Sequence, residues 1–205
     1  MPNNNLYLNK PLEEQINNLC RILYESELIS EALRLIPSLE LPNWYLGAGC
    51  ISQTVWNSLS DKEEPGYGIK DFDLVYFDDK DVSYEGEDKY IQKAKEIFKN
   101  FPHEVEIKNQ ARVHMWYEKK FGKKIEPFSS CEEAISTWPT TATAIGVRAV
   151  SPNNLSVFAP YGLHDLFGMI AKPNKVLVSR EIYEEKSARW LKTWPQLKVV
   201  PWEQQ

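Results

Sequence analysis

Between Trp44 and Leu59 the chain changes its periodicity without any linker. Trp44-Tyr45-Leu46 is a short aromatic and apolar run with strand character. Gly47-Ala48-Gly49 follows at once, and from Cys50 to Leu59 the apolar residues Ile51, Val55 and Leu59 recur every four positions, as on one face of a helix. A strand that enters a helix through a glycine turn leaves the first helical N–H groups unpaired and aimed outward together, where the helix dipole favours an anion. Gly47 and Gly49 carry no side chains, so an anion such as a phosphate is expected to approach their backbone closely, and Ser52 adds a hydroxyl one turn into the helix.

The rest of the chain repeats this alternation. Residues 11–36 space their apolar side chains by three and four, which predicts helices ended by Pro37. Residues 60–68 form a loop rich in Asp, Pro and Gly. Asp71–Phe77 begins in strict alternation and reads as a strand with one partly wet face. Residues 78–87 read as an acidic loop and 88–100 as an amphipathic helix. Residues 103–108 alternate again as a strand. Helices are expected from Asn109 to Lys120, at 132–137, at 163–170 and from Arg180 to Trp194, with a strand at 143–150. The pattern is that of an α/β fold: a mixed sheet with helices packed on it and a C-terminal helical extension. One domain is expected over 1–205, with N-terminal helices at 11–36, a core at about 41–150 and the extension at about 151–205.

Asp71 and Asp73 sit two apart at the start of a strand, so both carboxylates leave the same face. Like charges that close repel unless a cation sits between them. Mg²⁺ suits the position, because it takes one or two carboxylates together with substrate oxygens. A third carboxylate would complete a two-metal site. Glu104 and Glu106 share the polar face of the strand at 103–108; Glu106 is favoured because it lies nearer the middle and precedes Lys108 and Asn109. Lys108 and Arg112 are candidate phosphate ligands, and the Asn109 and Gln110 amides could read a base or sugar. His114 fits a hydrogen-bonded core position as well as a functional one. Asp165, next to His164, reads as a helix cap or a tertiary hydrogen-bond acceptor, because adjacent helical residues diverge.

A net charge of −5 argues against a protein built to coat a polyanion. Three cysteines without ligand spacing argue against a disulfide framework or a zinc site. No run of about 18 apolar residues spans a membrane and no signal-peptide pattern opens the chain, so the cytoplasm is the expected compartment.

Taken together, WYLGAGCISQTVWN, GIKDFDLVYFD, VEIKNQARVHMWY, APYGLHDLFGMIAKPN and the tryptophan-rich tail resemble the DNA polymerase β-like nucleotidyltransferase superfamily. The similarity is greatest to a bacterial and fungal branch of nucleotidyltransferase family proteins, over roughly residues 44–202. The resemblance implies a polymerase β palm-like sheet and an enzyme that moves a nucleoside monophosphate from a nucleoside triphosphate (NTP) to an acceptor hydroxyl. It implies that Gly47, Ala48 and Gly49 cradle phosphates, that Asp71 and Asp73 hold Mg²⁺, and that Glu106 binds a second metal and helps deprotonate the acceptor. Gly49-Cys50 departs from the family's Gly-Ser, residues 60–70 lengthen the step to Asp71, and the third carboxylate is Glu where Asp is commoner. The acceptor is not specified, a small molecule or protein being favoured over RNA. The alternative is a non-catalytic nucleotide-binding regulator on the same fold, and behind it an interaction module that uses exposed tryptophans.

Overall fold

The computed structural model describes residues 5–151 and 154–204. The outermost residues of the single unit expected over 1–205, and the start of its expected extension at 152–153, lie outside them. The described residues begin with three helices: α1 (Asn5–Leu8), α2 (Leu12–Glu25) and α3 (Glu27–Leu35). Then come β1 (Tyr45–Gly47), α4 (Gly49–Leu59), β2 (Asp71–Tyr76), α5 (Tyr84–Ile97) and β3 (Glu104–Asn109). The second half holds α6 (His114–Phe121), α7 (Cys131–Ile135), β4 (Gly146–Ser151), β5 (Asn154–Phe158), α8 (His164–Phe167), β6 (Ile170–Ala171), α9 (Arg180–Thr193) and β7 (Lys198–Val199).

The main sheet is mixed, in the order β3-β2-β1-β4-β5. β2 and β3 run parallel, so a crossover must join them, and α5 supplies it. β1 pairs antiparallel with both β2 and β4. Alternation along β2 sorts its side chains to two faces. Phe72, Leu74 and Tyr76 are buried in the main core with Ile51, Val55 and Trp56 of α4 and Leu19, Leu23 and Ile29 of α2 and α3. On the opposite face Val75 and Tyr45 meet Cys131 and Ile135 of α7. α7 thus covers one end of that face, and Asp71 and Asp73 lie toward the other.

Several expectations change. The helix expected at 88–100 starts at Tyr84, because the Ser83 hydroxyl accepts from Gly86 N and caps it. The helix expected at 163–170 stops at Phe167, and Ile170–Ala171 instead pairs with Lys198–Val199 in a two-stranded parallel sheet. β5 pairs antiparallel with β4 where a strand had been expected only at 143–150. The stretch from Asn109 begins as a 3-10 turn over Gln110–Arg112 before α6, which has no buried residue. Trp56, Trp190 and Trp194 pack edge to face in the core, against the reading of tryptophans as an exposed docking set. Asp165 accepts from Thr141 Oγ1 at 2.6 Å, a tertiary hydrogen bond.

Candidate active site

The glycine turn is built differently from its sequence. The left-handed backbone belongs to Ala48 (φ 56°, ψ −127°), while neither Gly47 nor Gly49 has a positive φ. A side chain at this φ is strained, and Ala48 tolerates it while its N–H donates to Ile145 O at 3.0 Å. Gly47 is glycine for packing: a Cβ there would sit 2.5 Å from Ile145 O and 2.8 Å from the Trp138 ring. At Gly49 a Cβ would meet only the amide of Gln53, at 2.9 Å. Close approach of a ligand to bare backbone therefore applies at Gly49, and Gly47 is closed off by Trp138. The N–H groups of Gly49, Cys50 and Ile51 open α4 and have no acceptor within the helix.

Neither side chain that follows the turn faces its mouth. Ser52 is fully buried and its hydroxyl donates to Ala48 O (3.1 Å) and Gly49 O (3.3 Å). That is a correction: Ser52 braces the turn from beneath and offers nothing to a phosphate. Cys50 is also fully buried, and its thiol points back to Gly47 O at 3.1 Å. Burial first, then the charge of Asp73, pushes this thiol well above its ordinary range, so it stays protonated and inert.

Register brings the carboxylates to the turn. Asp73 lies opposite Gly47 on β1 and opposite Glu106 on β3, and Asp71 lies opposite Glu104. Asp71, Asp73 and Glu106 are each half-buried, whereas Glu104 is exposed. The Asp73 carboxyl is pushed up to about 6, chiefly by burial, with Asp71 and Glu106 adding like-charge repulsion and Lys108 and Lys186 opposing it. Glu106 is held in an ion pair by Lys108. Among the described residues no group of three or more His, Cys, Asp or Glu side chains comes together as a metal cluster. The crowded pair Asp71–Asp73 suits one Mg²⁺ completed by substrate oxygens. A second ion would need Glu106 released from Lys108, so the expected three-carboxylate ligand set is not assembled here.

Two further expected contacts are spent on architecture. Asn109 is fully buried; its Oδ1 accepts from Asp78 N and Ala111 N, and its Nδ2 donates to Asp78 O and Asp81 O. Arg112 is ion-paired with Glu87, which also accepts from Asn109 N at 2.8 Å. Both pin the end of β3 to the Asp78–Ser83 loop and α5, and neither side chain is free for a nucleotide. Lys108, by contrast, is held above its ordinary value against the opposing effect of burial, first by its hydrogen bond to Glu106 and then by the charges of Asp73, Glu106 and Asp71.

Sequence reasoning missed one cation. Lys186 on α9 is half-buried and feels the charges of Asp73 and Asp71, more than a hundred residues earlier in the chain. The signal was local: Lys186 lies three after Tyr183 and four before Trp190, both buried, and so belongs to the packed face of its helix.

A family model described as nucleotidyltransferase matches residues 34–199, from the end of α3 to β7. A solved structure described as "The NMR structure of the protein reveals a CCA-adding enzyme head domain" superposes with a TM-score of 0.73 and 27% identity, over 97% of this chain and 99% of that one. No curated protein matches the chain.

Proposed function

Because the chain belongs to the nucleotidyltransferase family, we propose that it transfers a nucleoside monophosphate from a Mg²⁺-bound NTP to an acceptor hydroxyl, releasing pyrophosphate. One observation carries the reading. The Gly47↔Asp73 register sets the aspartate pair beside the N-terminus of α4, which supports an anion site and a cation site sharing one edge. A metal-bound triphosphate is the ligand that needs both.

In this reading the α4 N–H groups at Gly49, Cys50 and Ile51 take the phosphate tail. Asp71 and Asp73 would hold the Mg²⁺ ion at the edge beside the turn. Mg²⁺, when bound there, supplies charge neutralisation on the oxygens that develop negative charge. The acceptor oxygen forms a bond to the α-phosphorus, the bond to the bridging oxygen of pyrophosphate breaks, and the acceptor proton leaves toward Glu106. Lys108 must let Glu106 go for that step, and so gates it. The acidic balance of −5 favours a small molecule or a protein hydroxyl over RNA as acceptor. The three free thiols suit the cytoplasm, and no helix among the described residues is long and apolar enough to cross a membrane. The whole of 1–205 is one unit in this proposal, because α9 packs on α4 through Trp190 and Trp56.

A binding protein without turnover is the second reading, favoured by the Lys108–Glu106 pair. Label transfer separates the two. With an NTP labelled at the α-phosphate, the enzyme reading expects label on a component of a cell extract and γ-label only in pyrophosphate. Retention of NTP with no transfer from any of the four would favour the regulator.

A further inference from the structure

α6 is a helix without a core. None of its residues is buried, and none of its side chains belongs to either hydrophobic cluster among the described residues. Its apolar content is high all the same. Met115 is 58% and Phe121 41% exposed, and Trp116 and Tyr117 are half-buried. Trp116 and Lys120 lie four apart, as do Tyr117 and Phe121, so these four side chains share one face. The rings rest on each other. Tyr117 and Phe121 meet at 4.6 Å between centroids and Trp116 and Phe121 at 6.4 Å, with the Lys120 ammonium 5.6 Å from the Trp116 ring. A surface helix ordinarily turns such a face inward. A clustered apolar patch left outside marks an interaction site.

The charge around these rings is opposite to that of the chain. From Glu118 to Lys124 every residue is exposed, and Lys119, Lys120, Lys123 and Lys124 stand there against Glu118, in a protein of net charge −5. Among the described residues none of the four forms a salt bridge, and Lys123 is held by its hydrogen bond to Val176 O at 3.3 Å. Aromatic residues and methionine at the centre of a patch, with charge at its rim, make the composition of a protein–protein interface. The lysines select the sign of the partner. A long nucleic acid laid over α6 would also meet the overall negative charge of the chain, whereas a short acidic segment meets the lysines alone and covers the rings with its apolar side chains. The helix is firmly placed for such a role. It follows β3 through the turn Gln110–Arg112, which the Arg112–Glu87 ion pair and the Asn109 hydrogen bonds fasten to α5 and to residues 78–81.

We propose that α6 is the docking face for an acidic segment of a partner protein, which sets carboxylates on Lys119, Lys120 and Lys124 and apolar side chains on Met115, Trp116 and Phe121. The docking itself needs neither nucleotide nor metal. In the group-transfer reading given above, on which this second step rests, the docked protein is the acceptor, held by the helix that directly follows the strand carrying Glu106.

Fluorescein-labelled poly(Glu,Tyr), a random copolymer of acidic and aromatic residues, is the probe, read by anisotropy against the full chain. Wild type is expected to bind it, and more weakly as salt rises. The triple variant Lys119→Glu, Lys120→Glu, Lys124→Glu should lose about tenfold or more in affinity, while the triple change of the same lysines to Arg should keep it. Trp116→Ala with Phe121→Ala should weaken binding by about the same factor. Because no residue of α6 is buried, thermal unfolding of the lysine variants should match that of wild type. Poly-glutamate should bind less tightly than the copolymer; equal binding would reduce the face to a charge patch and overturn the assignment. An oligouridylate that binds more tightly than the copolymer would overturn it in favour of a nucleic-acid platform. No binding by wild type, or binding indifferent to the lysine reversal, would overturn it outright. Excess copolymer should slow the passage of α-phosphate label from an NTP to protein, and undiminished transfer would remove the acceptor role. Copolymer binding by a chain that fails to bind Mg·ATP would sink the transfer reading and leave the docking face standing.

Discussion

Asp73→Asn isolates the cost of a charge that the metal-free fold holds badly. The Asp73 carboxyl rises from its usual 3.8 to about 6, because burial and then its acidic neighbours disfavour the ionised form. An acid with a higher pKa folded than unfolded costs stability as pH rises from the unfolded to the folded value, and the cost then stays constant. The step from 3.8 to about 6 corresponds to about 3 kcal/mol. Asparagine keeps the shape and has no charge to lose. The variant should therefore match the wild type near pH 4, gain stability between about pH 4 and pH 6, and be about 3 kcal/mol more stable above that. Urea unfolding followed by tryptophan fluorescence across this range reads the difference directly, as Trp56, Trp190 and Trp194 are buried. Adding Mg²⁺ should raise the wild type and leave the variant where it was. A difference that is flat with pH, or an asparagine variant less stable than wild type at pH 8, would refute the reasoning.

Other substitutions separate architecture from chemistry. Gly47→Ala drives a Cβ into Ile145 O and Trp138 and should cost about 3 kcal/mol or more, whereas Gly49→Ala displaces only the Gln53 amide and should leave thermal unfolding nearly unchanged while weakening NTP binding. Ala48→Gly relieves a positive φ and should stabilise by about 1 kcal/mol in denaturant unfolding; a loss would show that the turn is not strained. Arg112→Ala strands Glu87 in a mostly buried position and should cost about 3–5 kcal/mol, with nucleotide affinity unchanged at temperatures where the variant is folded.

The strand, turn and helix at 45–59 and the Asp-x-Asp strand were legible because each follows a strong local period and adjoins a turn signal. Register was not, since nothing local states that Gly47 lies across from Asp73; the preference for Glu106 over Glu104 rested on its place nearer the middle of the strand, and the register sets it opposite Asp73. The polar residues Asn109, Arg112 and Ser52 looked available in sequence because polarity alone does not say who the partner is. In the fold each has found a backbone or carboxylate partner within the protein. Lys186 went unread because its place on the packed face of α9 was the only local signal, and the Asp71 and Asp73 charges it feels lie far back in the chain. The short β6–β7 pair and the start of α5 depend on a tertiary pairing and a single serine cap, signals too small to stand out by periodicity.

The central claim is that Asp71 and Asp73, beside the mouth of α4, hold a metal-bound nucleoside triphosphate. Isothermal titration of the wild type and of the Asp71→Asn, Asp73→Asn double variant with each NTP, in the presence of Mg²⁺ and then of EDTA, tests it most directly. The account predicts NTP binding by the wild type that disappears with EDTA, and no Mg²⁺-dependent binding by a double variant that is as stable as wild type or more so. Equal NTP affinity in the two proteins, or wild-type binding indifferent to EDTA, would contradict it.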